Sequence, residues 1–147
     1  MGRAIAAVVV GYIVMFIVVF VTLTGAYLAL GTERAFKAGT YDVTPMWIGI
    51  WAVMSLVAAV AGGLVCRVIA RGPKPPMMLA GIVLVLGLAM AIPAFLAEPT
   101  KEPRGSEVSN LEAMAKAQQP PWTALLNPLV GAAGVVLGGR LKKNAPA

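Results

Sequence analysis

The sequence predicts an all-α membrane protein, a four-helix transmembrane bundle with both termini on the cytoplasmic side. Three observations carry that reading. The 147 residues are 59% hydrophobic and only 12% charged, against roughly 25% charged in soluble domains. Four stretches contain no charge at all, Ala4 to Thr32, Val43 to Cys66, Pro75 to Ala97 and Ala117 to Gly139, and each reaches the roughly 20 residues a helix needs to cross the hydrocarbon. The charges between them sort by side. Arg3, the second connection (Arg67, Arg71, Lys74) and the tail (Arg140, Lys142, Lys143) hold basic residues and no acid, whereas Glu33, Asp42, Glu98, Glu102, Glu107 and Glu112 all lie in the other two connections. Cytoplasmic segments retain Lys and Arg, so the basic end is expected inside. The chain reads as a single transmembrane domain, 1–147, with helices at about 4–31, 45–69, 76–97 and 121–140 and an outer loop 98–120.

The first span resembles a signal peptide only in having Arg3 before it and small residues near its end. Its 29 uncharged residues exceed the 7 to 15 of a signal peptide's apolar core, so an uncleaved helix is expected. The second span opens on Pro45, the third on Pro76 and the fourth on Pro121. A proline is harmless there because first-turn N–H groups lack intrahelical partners. Trp47, Trp51 and Trp122 fall near the outer ends of their spans, where an indole can rest half in lipid with its N–H in the headgroup layer.

The second connection, Arg71-Gly72-Pro73-Lys74-Pro75-Pro76, is short and stiff enough to make only a tight turn between antiparallel neighbours. The third begins with the Pro-rich stretch Glu98 to Pro103. It then carries Ser109 three residues before Glu112, the spacing of a capping box, followed by a weak apolar face of Leu111, Met114, Ala115 and Gln118. A short interfacial helix near 110–118 is expected on the outer membrane surface, docked against the bundle or offered to a partner. The second and fourth spans also rhyme. Pro45-Met46-Trp47 and Pro121-Trp122 open them, and Gly62-Gly63 with Arg67 and Gly138-Gly139 with Arg140 close them, as two copies of one hairpin would and as the common pressures on any two helices running the same way also would.

The spans contain no ionisable residue of the kind that carries proton, metal or counter-ion work in membrane enzymes and ion-coupled carriers. Histidine is absent and Cys66 is the one cysteine. The sequence therefore offers no catalytic residue, no metal ligands and no cofactor site, and argues against an enzyme. The net charge of +6 is explained by topology and by anionic headgroups on the cytoplasmic face rather than by nucleic acid, for which neither a basic helix nor an aromatic platform is present. Small multidrug transporters use a glutamate in the first helix, which this chain lacks. Membrane-bound glutathione-metabolising enzymes hold their cofactor with arginines, but Arg67, Arg71 and Arg140 stand at ordinary topogenic positions. Through Gly11-Tyr12 in the first span and Leu137-Gly138-Gly139-Arg140 at the end of the fourth, the chain resembles uncharacterised small four-helix bacterial membrane proteins. That resemblance implies the fold and no activity.

Two sets of residues remain as candidates. Ser55, Ala59, Gly62 and Gly63 on the second span and Gly134 and Gly138 on the fourth form small-residue stripes that let helices pack closely, within the bundle or against another chain. Thr22, Thr24, Ser55, Pro93, Asn127 and Pro128 gather in the outer half. Prolines at 93 and 128 free the carbonyls of Ala89 and Ala124, so these residues either are kinks satisfied locally by water or hydroxyls or line a shallow outer crevice. An amide facing lipid costs several kcal/mol, so Asn127 is expected to bond a freed carbonyl or the Ser55 hydroxyl. The reading that follows is a non-enzymatic accessory or scaffolding subunit of a larger complex in a bacterial inner membrane, with a membrane-protein partner or a second copy. The alternative is a small transporter or channel for a neutral or weakly polar solute. The orientation is tested in intact cells with a membrane-impermeant maleimide on a Cys66-free chain. Ser106→Cys should label directly and Arg140→Cys only after permeabilisation, and the reverse order would invert the topology.

Overall fold

The computed structural model describes residues 2–98, 103–105 and 108–141. The described residues form six helices and no strand: α1 (Gly2–Leu30), α2 (Thr32–Ala35), α3 (Pro45–Ala70), α4 (Lys74–Leu96), α5 (Asn110–Ala115) and α6 (Pro121–Leu141). α1, α3, α4 and α6 are long and apolar enough to cross a membrane. Their 21 to 29 residues give lengths of roughly 30 to 45 Å.

Local chemistry sets the ends. Thr44 caps α3, its hydroxyl accepting from the Trp47 N–H at 3.2 Å while donating to the Arg34 carbonyl at 2.8 Å, so one side chain joins the helix start to the preceding loop. α3 stops at Arg71, whose φ of 56° is the left-handed conformation that ends many helices. Three residues later α4 begins, two residues ahead of the sequence-based expectation, because Pro75 and Pro76 both fit in the first turn. At the same end, the Arg3 side chain donates to the Ile69 carbonyl at 2.8 Å. It thereby supplies a cation to the last turn of α3, where carbonyls lack partners.

α3 and α6 lie at the centre. α1 packs on α3 and α4 packs on α6, so each descending helix is buried against the one that precedes it, the layout two copies of one hairpin would have. The central pair is held by its small residues. A Cβ on Gly63 would strike the Val135 carbonyl, one on Gly138 the Val60 carbonyl, and one on Gly134 would lie 2.6 Å from the Ala59 Cβ. Ala59, Gly63, Gly134 and Gly138 thus form one seam in which backbones touch backbones. Gly62 faces the other way, toward the Gly11 carbonyl and Met15 of α1. Beside this seam Ala7, Cys66, Leu79, Ala80 and Val135 make the core of the basic half.

The opposite end carries a folded cap. Phe36 pairs with Val43, and Asp42 pairs with Gln118 from the third connection. The Val43 N–H donates to the Gln118 carbonyl at 3.1 Å, and the Gln118 N–H to the Tyr41 carbonyl at 2.9 Å. Arg104 fastens the same two loops. Its N–H donates to the Gly39 carbonyl at 2.9 Å, and its guanidinium meets Glu33 at 3.3 Å and covers the Phe36 ring. Beneath lie Tyr27, Phe36, Val43 and Trp47, with the two other rings edge-on to Tyr27.

Two expectations are corrected by this cap. α5 ends at Ala115 rather than near 118, because Gln118 is drawn into the pairing with the first connection. Of its two expected placements it takes the docked one, through the fully buried Ala113, its Ser109 hydroxyl accepting from the Glu112 N–H at 3.3 Å. The side chains of Leu111 and Met114, residues 99–102 of the Pro-rich stretch and the tail lysines 142 and 143 lie outside the described residues. Trp47 is 7% exposed inside the cap, leaving Trp122, at 54%, as a tryptophan on the bundle's outer surface.

The seam sets a test. Gly134→Leu and Gly138→Leu each force side-chain atoms into occupied space, so each should destabilise the protein by at least the roughly 1 to 3 kcal/mol of core overpacking. Thermal melting in detergent should fall for both and stay unchanged for Gly25→Leu, where a Cβ meets nothing within 4 Å. Wild-type melting of the double leucine variant would show that the helices do not meet there.

Candidate functional site

At the level where the central helices have separated, the four long helices enclose a cavity of about 260 Å³. Tyr12, Met15, Phe16 and Val19 line it from α1, Trp51 and Ser55 from α3, Val83, Leu86, Gly87 and Met90 from α4, and Asn127, Pro128 and Gly131 from α6. Its floor is closed on the basic side, where the backbone of α1 at Gly11 lies against Leu79 and Cys66. Its rims are exposed, Phe16 and Met90 being 67% and 75% accessible. The crevice therefore opens sideways between α1 and α4, toward the hydrocarbon. Trp51 and Asn127 each stand six residues inside their helices, roughly 9 Å from the cap end.

Gly87 and Pro128 determine its shape. A Cβ on Gly87 would lie 2.5 Å from the Pro128 Cβ, so the proline ring occupies the place of the missing side chain and holds α4 against α6. Pro128 also lacks the N–H that the Ala124 carbonyl would accept. Wall and helix distortion thus come from one residue.

Of the residues expected in an outer crevice, Ser55, Asn127 and Pro128 are brought together here. Thr22, Thr24 and Pro93 are not. The lining of α1 ends at Val19 and that of α4 at Met90, about a turn short of Thr22 and Pro93. The Thr22 hydroxyl instead bonds the Val18 carbonyl of its own helix at 2.6 Å, Thr24 is half-buried elsewhere, and Pro93 is exposed on the outer turns of α4. Tyr12, Phe16, Trp51, Gly87 and Met90 were not singled out as lining residues. An isolated glycine within a helix, such as Gly87, is a signal of close backbone approach that could have marked the wall.

The polar groups of the crevice are uncharged and unmatched. The Ser55 side chain is buried at 7% exposure, and neither its hydroxyl nor the Asn127 amide has a hydrogen-bond partner among the described residues. This corrects the expectation that Asn127 bonds Ser55 or a freed carbonyl. The seam brings α3 and α6 together at Ala59/Gly134 and Gly63/Gly138, and outward of it the cavity separates them. Chemically the site is a largely apolar slot offering two donors and an acceptor from the amide, the hydroxyls of Ser55 and Tyr12 and the indole N–H of Trp51, with no charge among its lining residues. Comparison with known proteins finds no matching family, no similar curated protein and no similar solved structure.

Asn127 is exposed along its helix, and an amide without a partner that faces hydrocarbon is costly to folding. Asn127→Leu should therefore raise the melting temperature in detergent, by the equivalent of about 1 to 3 kcal/mol, and Ser55→Ala should act in the same direction more weakly. A lowered melting temperature for Asn127→Leu would mean that the amide is bonded within the protein after all.

Proposed function

We propose that the chain is a non-enzymatic membrane protein that holds or carries an uncharged, weakly polar molecule in the crevice between α1 and α4. The observation that carries this reading is the pair of unmatched polar groups, Ser55 and Asn127, which line a largely apolar slot together with Tyr12 and Trp51. A site made to hydrogen-bond a solute discriminates strongly against molecules lacking that group. It also accounts for polar side chains that cost stability where they stand. The charge sorting supports an orientation with the basic end and both termini in the cytoplasm and the capped end outside a bacterial inner membrane, which would put the crevice in the outer half.

An accessory or scaffolding subunit is the second reading, and the folded cap favours it by presenting a shaped extramembrane surface. The small-residue stripes no longer speak for it. Ala59, Gly63, Gly134 and Gly138 are used between α3 and α6, and Gly62 against α1, so none offers a flat strip to another chain. Purification of the wild type and of a Ser55→Leu/Asn127→Leu variant from the same membranes, followed by mass spectrometry of what accompanies each, separates the readings. The crevice reading expects one uncharged small molecule or lipid enriched at least about fivefold with the wild type, the equivalent of one lost hydrogen bond. A stoichiometric protein partner with both forms, and no enriched small molecule, would replace it with the accessory reading.

A further inference from the structure

A second cavity, of about 370 Å³, lies at the other end of the bundle, where the turn between α3 and α4 meets the last turn of α6. Arg67 and Arg140 both line it, together with Pro73, Pro76, Met77 and Gly139. Arg67 is 8% exposed, although it stands on a membrane-spanning helix. Arg67 is also engaged elsewhere in the chain, so the argument rests on the shared cavity and not on an idle side chain.

We propose that this cavity binds a phosphate group, that of an anionic phospholipid or of a soluble phosphate ester. Two permanent cations lining one cavity offer paired donors to an anion, and planar guanidinium groups match phosphate oxygens in pairs. The cavity lining contains no carboxylate. The acids of the sequence all belong to the two connections at the opposite end, across the roughly 30 Å hydrocarbon layer. The architecture keeps the two arginines together. A Cβ on Gly139 would lie 2.7 Å from the Pro76 Cβ, so the end of α6 is pressed against the start of α4 one residue from Arg140. Met77 on the rim is 57% exposed, an apolar margin along which acyl chains can leave. Arg71 and Lys74 are exposed near this cavity without lining it, which separates the site from the general positive surface.

The test uses the full chain reconstituted in nanodiscs of phosphatidylcholine containing phosphatidylglycerol, with bound lipid counted by native mass spectrometry after release. Phosphatidylglycerol should be retained about tenfold over phosphatidylcholine, a preference that Arg140→Gln reduces by a similar factor while Arg71→Gln leaves it within about twofold. Circular dichroism checks that Arg140→Gln, in the last turn of α6, retains wild-type helicity. Displacement by millimolar glycerol 1-phosphate would identify a soluble phosphate ester as the ligand, and resistance to it a lipid. Equal retention of the two lipids, or equal losses from Arg71→Gln and Arg140→Gln, would overturn the proposal in favour of diffuse surface charge.

Discussion

The fold depends on the direct approach of two backbones, α3 at Ala59 and Gly63 to α6 at Gly134 and Gly138. Between helices in lipid there is no hydrophobic gain to drive association, because acyl chains are as apolar as leucine. Dispersion contacts must hold the pair together, and these decay within a fraction of an ångström. Side chains no larger than a methyl group are what permit the contact. The other interfaces follow from it. Once α3 and α6 are locked, each has one face left for the helix before it, α1 on one side and α4 on the other. α1 and α4 meet near the basic end, where Gly11 lies against Leu79.

The crevice is the geometric complement of that seam. Helices pressed together over the turns nearest the basic end, and joined at the other end by a cap over α1 and α3, leave room between. Pro128 lodged against Gly87 fixes how much. The slot is lined where α1 and α4 no longer touch, so its mouth faces lipid rather than water. This geometry suits a molecule that partitions into the bilayer, and its polar lining suits one that retains a hydrogen-bonding group there. The basic cavity is separated from the slot by the core of Ala7, Cys66, Leu79 and Val135, so the two sites sit on opposite sides of one plug and share no lining residue.

Helix number, length and type were legible because lipid is an unforgiving solvent. Any span must satisfy its backbone internally, so an uncharged run such as Val43 to Cys66 has one outcome. Helix starts at Pro45 and Pro121 were legible for the same local reason. Contacts between spans were less so. The stripes named Ala59, Gly63, Gly134 and Gly138 correctly as small, but not which helix each would meet, and Gly62 turned out to serve α1. The crevice was read by depth from the sequence, which gathered Thr22 and Pro93 with Asn127. Helix stagger separates them by about a turn, and stagger has no sequence signature. The cap was least visible of all, because the partners of residues 41–43 lie more than 70 positions away at Gln118. No local pattern announces such a pairing.

The interlocked loops bear on how the protein is made. Residues 41–43 leave the ribosome long before Gln118, and both loops must come to lie on the same side of the membrane before their backbones can pair. Until α6 is being threaded, the first connection has no partner for the Val43 N–H or the Tyr41 carbonyl, and Phe36 lacks the Arg104 side chain above it. The first hairpin is therefore born with an open end, and closure of the cap marks the completed insertion of the second. Quality control acting at the capped end would encounter an exposed aromatic loop in every unfinished chain and a sealed one in every finished chain.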